Sequence, residues 1–329
     1  MKKMISGIKP SGSPTLGNYI GAIKNFVHYQ NEYELYVFIA DLHAITIRQD
    51  PLELKRNTLD IATLYIACGL NPNKCTIFVQ TDVLEHANLG FILNCFTYMG
   101  ELTRMTQFKE KSQNTNNDSI GVGLFTYPPL MAADILLYDV DYVPVGEDQV
   151  QHLEITRDIA IRINNLYNQK VFVIPDKIVN KVGARIKSLQ DPSKKMSKSE
   201  DPSDKGCIFL LEDPNKAYKK IMSAVTDNEM LVKYDPDNKP GISNLIQIYC
   251  SLKDVSIETC EEEFKDSNYG TFKKAVAEIV KTTLENIQSR FKEIRYTDKL
   301  AEILNEGKLK AQKIASKKLL EIEKVIGLK

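Results

Sequence analysis

Two short stretches of this chain carry residue types suited to holding an anion. Lys195-Met196-Ser197-Lys198-Ser199 follows the polar run Asp191-Pro192-Ser193-Lys194, which sets three lysines close together in a loop expected to be mobile, with nothing apolar to bury. Far upstream, Pro14-Thr15-Leu16-Gly17-Asn18-Tyr19-Ile20-Gly21-Ala22 stands where a strand-like run ends in Gly, Pro and Ser turns and an amphipathic helix begins. A helix opening at Thr15 to Asn18 directly after a strand offers free backbone N–H groups and the positive end of its dipole to a phosphate, and Gly17 would let a flat base or ribose approach the backbone. Taken singly, a glycine turn before a helix is most often only a turn, and a lysine run only a solvated face. In this order, separated by a βαβ region, they point to one nucleotide-like substrate held between two anion sites.

The elements that must position these groups are readable from pattern. Short β-branched or aromatic runs at residues 4–8, 35–40, 76–79, 142–145 and 171–174 alternate with helical stretches, which argues for a parallel sheet. Leu52, Leu54, Leu59, Ile61, Ala62, Leu64 and Tyr65 form one apolar helix face that ends at Gly69, with Asn71-Pro72 as a stop signal. From about Asp201 the texture changes to helices without intervening strands. Phe272, Val276, Ile279, Leu284, Ile287, Phe291 and Ile294 recur at helical spacing, as do Leu300, Ile303 and Leu304. At 329 residues the chain is long enough for one or two domains with a sizeable core. Its 43 basic and 43 acidic side chains cancel, so no global field drives it onto nucleic acid or an anionic membrane, and any RNA must be met by local patches. The six cysteines show no CxxC spacing and the four histidines are scattered singly, which argues against a disulfide framework or a zinc site and for buried thiols in a reducing cytosol. No apolar run approaches the ~20 residues needed to span a bilayer, and the first residues are too briefly apolar for a signal peptide. A soluble, cytoplasmic protein is expected.

The two motifs together resemble those of class I aminoacyl-tRNA synthetases: a His-Ile-Gly-His-like turn, here Thr15-Leu16-Gly17-Asn18, and an intact Lys-Met-Ser-Lys-Ser loop. Within that class the chain is similar to the bacterial tryptophanyl-tRNA synthetase family nearly end to end. The similarity runs through residues 6–12, 17–22 and 41–46, through Met105-Thr106-Gln107-Phe108-Lys109-Glu110-Lys111, through residues 127–136 and through Gly146-Glu147-Asp148-Gln149. The resemblance implies an α/β fold: a Rossmann-like catalytic domain at residues 1–200, ending in the lysine loop, and a helical tRNA anticodon-binding domain at 201–329 whose last helix packs back on the first. It also implies a cytoplasmic homodimer with its interface near residues 91–98, and Mg²⁺ and ATP, L-tryptophan and tRNA(Trp) as substrates and partners.

Activation requires the amino acid carboxylate to attack the ATP α-phosphate in line, so the protein's task is positioning and charge stabilisation. By resemblance, Lys195 and Lys198 close on the pyrophosphate leaving group with Met196 and Ser197 between them, Lys111 assists, and Mg²⁺ bridges phosphate oxygens. Thr15 and Asn18 replace the two histidines of the commoner signature, so their contact is hydrogen-bonding and dipolar. Gly7, Lys9 and Gly17 would line the adenosine side, and Gly146, Asp148 and Gln149 would meet ribose and amino acid after the 142–145 strand. Indole has one N–H donor and no acceptor. A pocket selecting it needs a fixed acceptor at its far end, and Asp134, on a helix expected at 130–138, supplies one if other donors hold its charge. Met131, Tyr127, Val143, Val145, Ile5 and His43 would complete this pocket with Gln149, although Ile5 departs from relatives that carry phenylalanine there. The basic residues Lys308, Lys310, Lys313, Lys317 and Lys318 near the C-terminus meet phosphates in one reading and solvent in the other. Two other activities stay open at this point: the sister enzyme for tyrosine, and a synthetase-like regulator without catalysis, which would be free to lose the phosphate lysines kept here.

Overall fold

The computed structural model describes residues 1–106, 121–178, 185–197 and 203–329, with Glu147 described by its backbone alone. Five strands, β1 (Lys3–Ile8), β2 (Glu34–Ile39), β3 (Cys75–Val79), β4 (Tyr142–Pro144) and β5 (Asp176–Ile178), form one parallel sheet in the order β3-β2-β1-β4-β5. β1 pairs with β2 from Lys3 opposite Glu34 to Ile8 opposite Ile39, and meets β4 at Met4 and Tyr142. The chain winds outward from β1 in one direction and then from β4 in the other, so the crevice between the carboxyl ends of β1 and β4 is the switch point at which such sheets bind ligands.

Alternation along the strands sorts side chains onto two buried faces. Met4, Leu35, Val37 and Ile39 join a core with the crossover helix Pro51–Ala67, and that core continues into the helices Pro240–Lys253 and Tyr269–Arg295. Ile5, Tyr36, Phe38 and Phe78 face the opposite way, against the helices Val122–Leu136 and Val150–Leu166. The crossover helix begins as its sequence directs, with Asp50 capping the N–H groups of Leu52 and Glu53 and Pro51 in the first turn, and Gly69 follows it at φ +115°. The last helix, Asp298–Val325, crosses β3 so closely that a Cβ at Gly307 would lie 1.8 Å from the Ile77 carbonyl oxygen. That helix covers the edge of the sheet, and a glycine is what allows its backbone to do so.

Two expected elements move. The apolar run at 171–174 is buried at its start but is not a strand. Phe172 exchanges backbone bonds with the Asn164 side chain at 2.8 and 2.9 Å, and strand pairing begins only after Pro175, at Asp176. The helix expected at 130–138 instead starts at Val122 and runs through Pro128 and Pro129 to Leu136. Of the cysteines, Cys95 is exposed, Cys68 half-buried and the other four buried, all as free thiols. No described helix is long and apolar enough to cross a membrane.

Candidate active site

A cavity of about 420 Å³ opens at the switch point. The end of β1 lines it from Ile5 to Lys9, the end of β4 from Val143 to Gly146, and His43, Tyr127, Met131, Asp134, Gln149 and Lys195 complete it. Every side chain expected to surround the amino acid is therefore brought to one space, together with Gly7, Lys9, Gly146 and Lys195 from the expected nucleotide side. Gly7 is required by close packing: a Cβ there would lie 2.8 Å from the Phe38 ring.

At the blind end, Asp134 is 1% exposed on the helix Val122–Leu136. Three donors from three other elements hold it. Gln80, in the turn after β3, donates Nε2 to Oδ1 at 2.7 Å; His86, on the helix Glu85–Asn94, approaches Oδ1 through Nδ1 at 2.6 Å; His43, on the short helix after β2, approaches Oδ2 through Nε2 at 2.7 Å. Burial pushes the carboxyl pKa up, but His43 and then His86 more than offset this and hold it below the ordinary value of 3.8. The result is an ionised acceptor among apolar walls. Tyr127, whose hydroxyl bonds His152 Nε2 and whose ring meets His43 edge-on at 6.1 Å, is raised above its usual range by burial and then by the Asp148 charge.

The opposite end is assembled differently. Thr15 is fully buried as the N-cap of a helix that runs as Leu16–Asn18, a π-helical Tyr19–Ile23 and Lys24–Tyr29. Its hydroxyl and Asn18 cap one another: Asn18 Oδ1 accepts from the Thr15 N–H at 2.9 Å, and the Asn18 N–H donates to Thr15 Oγ1 at 3.2 Å. These side chains build the helix start and are not among the residues that line the cavity. Gly17 lies beneath the lysine loop, where an added Cβ would sit 3.6 Å from Met196 Cβ. Met196 itself is 2% exposed, with its N–H bonded to Ile186 O at 3.0 Å, and Lys195 is bridged antiparallel to Lys187. The expectation of a loop with nothing apolar to bury therefore fails at Met196, which pins the loop's first half while the Lys195 side chain stays exposed at the cavity. Ser197 is half-buried and its carbonyl accepts from Cys207 Sγ at 3.2 Å. Asp148 is exposed and takes a 3.2 Å bond from Gln149 Nε2. Lys111 and Lys198 lie outside the described residues.

Sequence reasoning missed Gln80 and His86. Neither belongs to a motif, though Gln80 stands immediately after a strand, at the carboxyl edge where ligands bind. It also placed Lys318 with the exposed lysines of its helix. Lys318 is buried instead, donating to the Val171 carbonyl and pairing with Asp139 at 2.8 Å, so it anchors the last helix.

The family model of tRNA synthetases class I (W and Y) matches residues 1–285. Over all 329 residues the chain is 53% identical to a tryptophan–tRNA ligase of Bacillus subtilis (strain 168), covering 98% of that protein. It is 50% identical to one of Caldanaerobacter subterraneus subsp. tengcongensis, covering 100% of this chain and 99% of that protein. The crystal structure of a tryptophanyl-tRNA synthetase from Mycoplasma pneumoniae superposes with a TM-score of 0.92 at 38% identity, covering 100% of this chain and 98% of that one. One from Campylobacter jejuni, complexed with ADP and tryptophan, does so with a TM-score of 0.82 at 35% identity, covering 99% of each. Matches of that length and identity carry fold and family together, and the chain belongs to the class I tRNA synthetases (W and Y).

Proposed function

We propose that the chain activates L-tryptophan with ATP and transfers it to tRNA(Trp). The observation that carries this reading is Asp134, an ionised acceptor buried at the blind end of an apolar cavity. An indole N–H needs one acceptor and returns none, and the donors nearest the carboxylate are already spent on it. The tryptophan carboxylate, at the open end, attacks the ATP α-phosphate in line, forming the P–O bond of the adenylate as the bond to pyrophosphate breaks. ATP arrives with its Mg²⁺ on the phosphate oxygens, so the metal is part of the substrate. Lys195 stabilises charge developing on the leaving group, with Lys198 and Lys111 as its partners. Gly7, Lys9, Gly17 and the backbone at the Thr15–Asn18 helix start take the nucleotide, with Gly146, Asp148 and Gln149 at ribose and amino acid. In the second step the terminal adenosine 2′-hydroxyl attacks the adenylate carbonyl and AMP leaves. Residues 1–200 carry this chemistry and 201–329 meet the anticodon.

Leu84 and Phe91, at the start of and within the helix Glu85–Asn94, and Tyr98 and Met99, at the start of the next helix, are all exposed, with Arg162 stacked 4.1 Å over the Tyr98 ring. These exposed apolar side chains are the proposed homodimer interface. The reaction belongs in the cytoplasm, where its tRNA is. Amino-acid-dependent pyrophosphate–ATP exchange with tryptophan, tyrosine and phenylalanine, on wild type and Asp134→Asn, tests the reading. Exchange with tryptophan alone, weakened by the substitution, is expected. Tyrosine-dependent exchange would transfer the assignment to the sister activity, and folded protein that exchanges with no amino acid would overturn it.

A further inference from the structure

Behind the wall of the cavity lies a buried polar chain that the proposed reaction does not itself use. His86 is fully buried, with ring centroids 5.9 Å from Phe38, 5.8 Å from Phe78 and 5.6 Å from Tyr138. Its only polar neighbours among the described residues are Asp134 Oδ1, 2.6 Å from Nδ1, and the Tyr138 hydroxyl, 2.8 Å from Nε2. With Asp134 ionised, a bare Nδ1 would set lone pair against lone pair at that distance, so Nδ1 carries the proton. In the neutral ring Nε2 then accepts from Tyr138. Gln80, also fully buried, donates to the same Oδ1 and accepts the Leu42 N–H through Oε1 at 3.1 Å, which ties it to the turn that bears His43.

A carboxylate has about four lone-pair sites. On Oδ1 both are taken by groups that lie outside the cavity lining, whereas the partner of Oδ2, His43, lines the cavity. Resting on the tryptophan reading of this cavity, we infer that His86, oriented by Tyr138, is a positioning residue for side-chain selection: with Gln80 it fills Asp134 Oδ1, leaving one acceptor site on Oδ2 for the ring N–H of the amino acid. His86 touches no substrate. It acts by denying the carboxylate any rotation or alternative partner, so the acceptor is fixed before the ligand arrives.

The test compares tryptophan with β-(benzothiophen-3-yl)alanine, which keeps the shape of the side chain but replaces the ring N–H by sulfur. KM and kcat for both are measured in pyrophosphate–ATP exchange. Tryptophan binding is also read directly from ligand fluorescence, which a chain with no tryptophan of its own permits. Wild type is expected to prefer tryptophan roughly 10- to 100-fold, the range for leaving a buried acceptor unpaired. His86→Gln, whose amide extends toward the Tyr138 side, is expected to lose roughly tenfold of that preference through KM, with KM for ATP unchanged. His86→Asn, which places an N–H near Nδ1, restores most of it. Tyr138→Phe, which keeps the ring and removes only the hydroxyl, loses about threefold and decides the matter should His86→Gln fail to fold. A tryptophan preference unchanged in both His86→Gln and Tyr138→Phe overturns the inference. A wild type that does not prefer tryptophan over the analogue instead overturns the tryptophan reading beneath it.

Discussion

At the blind end of the cavity Asp134 is held by Gln80, His86 and His43, at 2.6 to 2.7 Å and from three separate elements. At the mouth, Lys195 is exposed, and its segment is tied by one antiparallel bridge and the buried Met196. On the proposed function, the first end rejects close analogues before chemistry begins, and rejection works only if the acceptor cannot move to suit a wrong side chain. On the same proposal, the second end admits a triphosphate and releases pyrophosphate, which suits a cation kept in water on a flexible stem. Rigidity and exposure are thus distributed along one cavity by task.

Lys195→Ala should break the comparison most sharply. It removes charge stabilisation that matters in the transition state, so exchange kcat is expected to fall roughly 100- to 1000-fold while tryptophan binding stays near wild type. Equal losses in binding and turnover would show that the two ends are not separate. Asp134→Asn should do the converse, weakening tryptophan binding roughly 10- to 100-fold with nucleotide affinity kept. Gly7→Ala, between the ends, presses a methyl on the Phe38 ring, which backs both the cavity and His86. A cost of ~1–3 kcal/mol in stability is expected, with KM raised for both substrates, measured by thermal melts and exchange. Gly307→Ala offers a control far from either end. The added methyl cannot fit against the Ile77 carbonyl, so Tm should fall with both KM values unchanged.

The smallest effect concerns pH. The Asp134 pKa is lowered below 3.8 in the folded chain, so its stabilising share is fully present above 3.8 and is lost as pH falls through the lowered value. The Tm difference between wild type and Asp134→Asn should therefore hold from about pH 7 to about pH 5 and close only in stronger acid. A difference that already narrows at about pH 5 would contradict an ionised, preheld acceptor.

The lysine pentapeptide, the glycine turn at the first helix and four of the five strands were legible in the residues because each is a local pattern: a charge run, a cap, a short β-branched or aromatic run between helical stretches. Thr15 and Asn18 were legible as a helix start, and in the folded chain their side chains cap one another. Asp134 was picked out because the resemblance implies an indole substrate, and an indole N–H needs a fixed acceptor. What holds it was not legible, since Gln80, His86 and His43 stand 54, 48 and 91 residues away and no local rule joins them. The same limit hid the burial of Lys318 and the start of β5 after Pro175. Most strands and helices, and the side chains chemically able to act, can be read along the chain because they depend on neighbouring residues. Which donors meet on one carboxylate and which lysine is left in water depends on the fold, because burial and partnership arise between elements that the sheet order brings together.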